Sequence, residues 1–151
     1  MRYLIAITVV FATGFSVQAV AQDHCPDDQD TIFACTTTNG KQVRVCDAGP
    51  KISYTFGRPG QAPELALSVA RQSTSTWQWP GIGYTATYSA TIPNGRTRYT
   101  VWSSTERGSD PVQSSSGIAV EVNGKQVANI RCLENETLVD NLFDIDLPRE
   151  N

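Results

Sequence analysis

The stretch YTATYSATIPNGRTRYTVWSS, residues 84–104, decides the fold. Strand-forming residues run up to Asn94-Gly95 and away again on its far side. Asn-Gly suits both central positions of a type I′ turn, where φ is positive, so the segment predicts a β-hairpin. With Asn94 and Gly95 as a two-residue loop, Ile92 faces Thr97, Ala90 faces Tyr99 and Tyr88 faces Val101. Side chains alternate along a strand, so these residues share one face, and its apolar character marks it as the core side. Thr87, Ser89 and Thr91 lie on the other face with Arg98, Thr100 and Trp102.

Two more Asn-Gly pairs extend the reading in both directions. Asn39-Gly40 joins Thr31–Thr38 to Lys41–Asp47, and Asn123-Gly124 joins Gly117–Val122 to Lys125–Cys132. The third hairpin alternates less regularly, which leaves room for a bulge. Ile52–Phe56 and Leu65–Ala70 read as further strands, joined by the turn Gly57-Arg58-Pro59-Gly60. Residues 72–83 hold Trp77, Trp79 and Pro80 and read as a loop or irregular strand. Residues 107–116, rich in Ser, Gly and Asp, read as a mobile loop. After Cys132, Asn135 is placed to cap a short helix whose apolar stripe is Leu138, Val139, Leu142 and Phe143. The expected fold is all-β: a small antiparallel β-barrel or sandwich built from hairpins, with a short C-terminal helix. Asn39–Val43 and Asn123–Val127 are the same pentapeptide. Common turn chemistry accounts for this more simply than a duplicated recognition loop.

The N-terminus reads as a cleavable secretory leader. Arg2 supplies a positive start, residues 4–15 are nearly unbroken apolar, and Ala19-Val20-Ala21 places small residues at a cleavage site. The apolar run is shorter than the about 20 residues a spanning helix needs. No cysteine stands at the cleavage point, so no membrane anchor is expected after cleavage. The chain divides into a leader at 1–21, a β domain at 22–133 and an acidic C-terminal segment at 134–151. All four cysteines, Cys25, Cys35, Cys46 and Cys132, follow the leader. In a periplasmic or secreted protein this even number implies two disulfides, with three connectivities open. In the hairpin register Thr38 faces Lys41, so Phe33 faces Cys46 and Cys35 faces Arg44. Cys35 and Cys46 are then diagonal, an awkward placement for a direct bond, and Cys25–Cys46 with Cys35–Cys132 is the favoured pairing.

Composition and motifs argue against several functions. Net charge is −3, and loss of Arg2 with the leader makes it −4. The segment after Leu133 carries six acidic residues against Arg149 alone. No basic patch suited to nucleic acid is apparent. The one histidine, His24, sits near the new terminus, no Cys-x-x-Cys pair exists, and no metal or cofactor site is expected. Neither a Gly-x-Ser-x-Gly elbow nor a phosphate-cradling glycine loop is present, and Glu64 and Glu121 stand isolated, so the protein is read as a non-enzyme. What remains is a binding surface. Arg96 lies at the tip of the second hairpin, with Arg98 and Trp102 on its outer face. Arginine grips carboxylates with paired hydrogen bonds, and Arg and Trp are frequent interface anchors. The plainer expectation for Arg98 is stacking over Trp102 on a solvated sheet.

Phe33-Ala34-Cys35, Asn39-Gly40-Lys41 and Val43-Arg44-Val45 together resemble the opening of the periplasmic C-type lysozyme inhibitors. The layout is similar over roughly residues 31 to 133, with Cys132 placed to close the barrel. The inhibitory loop of that family reads Ser-Gly-x-Arg-Tyr. Here the sequence is Asn94-Gly95-Arg96-Thr97-Arg98-Tyr99, so Gly95, Arg98 and Tyr99 match it with one residue inserted, and Asn94 stands at the serine position. The resemblance implies a periplasmic inhibitor of a lysozyme-like cell-wall hydrolase, with Arg96, Arg98, Tyr99 and Trp102 as binding residues. The competing readings are an envelope-accessory domain and a small-ligand carrier built around Trp77 and Trp79.

Overall fold

A computed structural model describes residues 25–135 and 137–150. The leader read at 1–21 and His24 lie outside the described residues. In chain order the strands are β1 (Asp30–Thr36), β2 (Gln42–Asp47), β3 (Lys51–Gly57), β4 (Leu65–Ala70), β5 (Ser75–Gln78), β6 (Thr85–Asn94), β7 (Thr97–Glu106), β8 (Gln113–Val122), β9 (Lys125–Arg131) and β10 (Val139–Asp140). They form two antiparallel sheets of five strands, ordered β10-β1-β2-β3-β4 and β5-β6-β7-β8-β9. A single 3-10 turn, Arg71–Ser73, carries the chain from one sheet to the other. The sheets enclose one core but are not closed into a barrel, and of the two architectures expected, two facing sheets is the one found.

Alternation builds that core. Val43 and Val45 of β2 and Ile52 and Tyr54 of β3 point inward from the first sheet, and Ala90, Ile92, Val101 and Ile118 point inward from the second. Tyr54 and Tyr99 meet between the sheets with ring centroids 5.2 Å apart. Burial and the neighbouring Tyr99 phenol push the Tyr54 hydroxyl well above the ordinary tyrosine range.

The three hairpins form, each with a different turn. At Asn123-Gly124 both residues have positive φ, 53° and 75°, as the two-residue loop requires. The expected bulge in that hairpin falls between Val120 and Glu121. In the second hairpin Asn94 pairs with Thr97, so the loop is Gly95-Arg96, with φ +60° at Gly95. Ile92 therefore faces Tyr99 and Ala90 faces Val101, two residues from the expected partners, while the inner and outer faces stay as read. A Gly-first loop is also a good two-residue turn, and the ten-pair register between β7 and β8 sets the choice. In the first hairpin Thr38, Asn39 and Gly40 form a three-residue loop. The Thr37 hydroxyl oxygen lies 2.6 Å from Asn39 Oδ1 and 2.8 Å from the Lys41 carbonyl oxygen, and Thr37 N donates to that same carbonyl at 2.7 Å. This moves the register by one residue. Cys35 faces Val43 rather than Arg44, and Phe33 faces Val45 rather than Cys46, with a bulge between Thr31 and Phe33.

The disulfides join Cys25 to Cys46 and Cys35 to Cys132. The first ties the start of the described chain to the outer side of β2. The second ties β1 to the chain leaving β9, where Thr37 also bridges Cys132. Two disulfides fit an oxidising compartment. Among the described residues no helix is long and apolar enough to cross a membrane.

The C-terminal helix is not found. Asn135 forms a local turn instead, accepting a hydrogen bond from Thr137 N at 3.1 Å. The following chain runs as an extended strap. Val139 and Asp140 pair with β1, and Asn141 N donates to the Ile32 carbonyl. Gln78 Nε2 donates to the Leu142 carbonyl at 2.7 Å, and Thr76 N donates to the Pro148 carbonyl at 2.8 Å. Leu142 and Leu147 are buried, whereas Phe143, assigned to the helix stripe, is 73% exposed. An unpaired sheet edge is costly to leave open, and here one strap covers the edges of both sheets. Asp144, at φ +54°, and Pro148 are further obstacles to a helix. Residues 72–83 and 107–116 are more ordered than expected, because β5 and the start of β8 fall within them.

Candidate functional site

The predicted binding residues all belong to the second sheet, but they do not converge on one point. Arg96 is exposed at the tip of the β6–β7 hairpin. Among the described residues its side chain has no ion-pair partner. Its backbone is well held: the Arg96 carbonyl accepts a hydrogen bond from Asn123 N at 2.9 Å, which fastens this tip to the β8–β9 tip. Lys125 is the first residue of β9 after that second turn, so two cationic residues stand at this end of the sheet.

Arg98 faces outward as expected but is engaged. Its Nη2 lies 3.3 Å from Glu150 Oε1, with the two side chains 47% and 30% exposed. The same carboxylate oxygen accepts from Ser75 Oγ at 2.9 Å and from Thr91 Oγ1 at 3.1 Å. The partner of Arg98 is thus the C-terminal strap and not Trp102. It is Arg131, on β9, whose guanidinium stacks over Trp102, 5.4 Å from the ring centroid. Tyr99 turns inward against Tyr54, which removes it from any outer contact surface.

Trp102 belongs to a row that crosses the whole sheet. Trp77 pairs with Ser89, Ser89 with Trp102, Trp102 with Gly117 and Gly117 with Arg131. The row lies on the outer face. Gly117 makes room for the indole: a Cβ there would sit 2.9 Å from Trp102 Cζ2 and 2.5 Å from the Ile130 carbonyl oxygen. Hydroxyl pairs flank the row on both sides, Thr91 with Thr100 at 2.9 Å and Thr87 with Ser104 at 3.1 Å. Trp102 was visible in the sequence as an outer-face residue. Its company was not, because the row needs four strand registers at once.

Trp79 lies apart from this row. Its Nε1 donates to the Ile82 carbonyl at 2.7 Å, and the Arg107 guanidinium stacks on its ring at 4.9 Å. A cavity of about 350 Å³ lies elsewhere, where β1, the end of β2 and the strap meet. It is lined by Asp30, Asp47, Arg71, Asn141 and Asp146 with Ile32, Ile145 and Leu147 among others, and none of its lining residues is aromatic. Arg71 binds Asp47 and the Asp146 carbonyl there, which ties the inter-sheet turn to the strap. Among the described residues no group of three or more His, Cys, Asp or Glu is placed to hold a metal ion. No family model, curated protein or solved structure matches the chain.

Proposed function

We propose that this is an exported, non-enzymatic binding protein that inhibits a lysozyme-like cell-wall hydrolase through the β6–β7 hairpin tip. The observation that carries the reading is Arg96: an exposed guanidinium with no ion-pair partner among the described residues, on a tip fastened to its neighbour by the Asn123–Arg96 hydrogen bond. A preorganised loop loses little freedom on binding. A guanidinium inserted into an acidic cleft pairs there with carboxylates in a desolvated setting, where each charge-assisted hydrogen bond is strong. Lys125, on the adjoining tip, adds attraction toward an acidic partner. The contact set is narrower than the sequence implies, since Tyr99 packs inward and Arg98 is engaged by Glu150. The inhibitor reading therefore rests on Arg96 first.

The test is inhibition of a panel of muramidases by the mature protein and by Arg96→Ala. Loss of a desolvated, paired arginine should cost about 2–5 kcal/mol of binding. The folded protein itself should change by no more than about 0.5 kcal/mol, because the side chain is exposed. A parent that inhibits no muramidase, or a variant that inhibits equally well, removes the reading.

A further inference from the structure

We propose that the outer face of the second sheet is a second binding site, for a β-1,4-linked glycan strand in which every second sugar carries an acid group. The site is separate from the hairpin tip and does not depend on it. Trp77 and Trp102 lie on the same face of β5 and β7, with only Ser89 of β6 between them in the cross-strand row. Two strand spacings separate them, about 9.6 Å. In an extended β-1,4-linked chain, alternate sugars turn the same face to one side, and this spacing suits every second sugar. Flat aromatic rings stack on the C–H faces of pyranose rings, for the same reason that they anchor other amphipathic surfaces.

The neighbours of the two indoles fit that ligand. Trp102 is held in place by packing over Gly117, and Trp77 is 43% exposed. The hydroxyl pairs Thr91–Thr100 and Thr87–Ser104 border the row. Thr87, Thr100 and Ser104 are partly exposed and their hydroxyls retain capacity to bond a sugar hydroxyl, since an O–H group offers one donor and two acceptor positions, whereas Thr91 is buried and bonded to Glu150. The row itself contains no acidic residue. It ends at Arg131, which is exposed and lies over the half-buried Trp102 ring, so a sugar stacking on that indole displaces the guanidinium to its edge, where it can pair with the sugar's acid substituent. Cation and acid are complementary at this end, and the uncharged centre suits the sugar rings. Exposed tryptophan alone would be unremarkable. The ring spacing, the glycine under one ring and the terminal arginine together make the row a site.

The probes are washed, protein-free peptidoglycan sacculi, which carry the acid group, and chitohexaose, which has the same linkage without it. The parent should co-sediment with sacculi, and chitohexaose should shift its tryptophan emission. Trp77→Ala should weaken both by about tenfold while remaining folded, with its melting temperature lowered by no more than a few degrees. This exposed position keeps the test sound should Trp102→Ala fail to fold. Arg131→Gln should weaken binding to sacculi several-fold and leave chitohexaose binding unchanged, and an equal response to both would refute the role given to the acid. Arg96→Ala should bind both probes as the parent does, so failure of this site and failure of the inhibitor reading are distinguished. The proposal is overturned if the parent does not bind sacculi or if Trp77→Ala binds like the parent. It is equally overturned if sacculi bind without any chitohexaose response, because recognition would then lie on the peptide stems.

Discussion

The two sheets have five strands each and differ in what holds them and what they display. The first carries Cys35 and Cys46, one cysteine of each disulfide, and the largest buried side chains, Phe33, Ile52 and Tyr54. Cys25 covers Cys46 on its outer side, so that face is partly closed. The second sheet has longer strands, smaller core residues such as Ala90, and an outer face of serine, threonine and tryptophan. Its two hairpin tips are bonded to each other and carry cations. The difference teaches a division of labour: the first sheet fixes the fold, and the second presents a surface.

Removing disulfides gives the largest expected effects and ranks the two bonds. Cys35–Cys132 closes 97 residues and Cys25–Cys46 closes 21. The entropy of loop closure predicts losses of about 4.7 and about 3.3 kcal/mol on replacing each pair by alanine. Guanidinium unfolding measures both, and an equal or larger loss at Cys25–Cys46 would mean that the first sheet is held locally and not by its link to the second. Next in size is Ile52→Ala, which empties a fully buried site on the first sheet and should cost about 2–5 kcal/mol. Trp77→Ala on the second sheet should cost about 1 kcal/mol or less, since the residue is exposed. If Trp77 proved as important to stability as Ile52, the outer face would be structure and not display. Gly117→Ala lies between them, at about 1–3 kcal/mol, because the added methyl meets both the Ile130 carbonyl and the Trp102 ring. A silent Gly117→Ala would mean that Trp102 is free to move.

The smallest effect appears only in alkali. The Tyr54 hydroxyl ionises at higher pH in the folded protein than in the unfolded chain, chiefly because it is buried. Above about pH 10, where an ordinary tyrosine ionises, the unfolded state loses this proton while the folded state keeps it. Stability contributed by Tyr54 is therefore complete below pH 10 and declines as the pH rises beyond it. Unfolding curves between pH 8 and 11 should show a shallower decline for Tyr54→Phe than for the parent. Parallel declines would locate the alkaline loss elsewhere.

Local chemistry was legible in the sequence and long-range pairing was not. The Asn-Gly pairs located all three hairpins, and alternation sorted the faces of β6 and β7 correctly. The exact registers depended on more than the dipeptide. Identical pentapeptides at Asn39 and Asn123 fold into three-residue and two-residue loops, because Thr37 closes the first one with its own side chain. The strap shows the same limit. The spacing of Leu138, Leu142 and Phe143 suits a helix, but the edges of β1 and β5 bind that segment as extended chain, and neither edge is visible from the local pattern. Arg98 was read correctly as an outward residue, while its partner Glu150 lies 52 positions away. Arg131 joined Trp102 only once the pairings through β8 and β9 were known.

The division between the sheets is tested most directly by hydrogen–deuterium exchange of the protein with and without each muramidase of the panel proposed above. Protection should appear at residues 94–98 and 123–126, where the bonded tips carry Arg96 and Lys125, and β2 and β3 should exchange as in the free protein. Protection confined to the first sheet, with the two tips unchanged, would contradict the account.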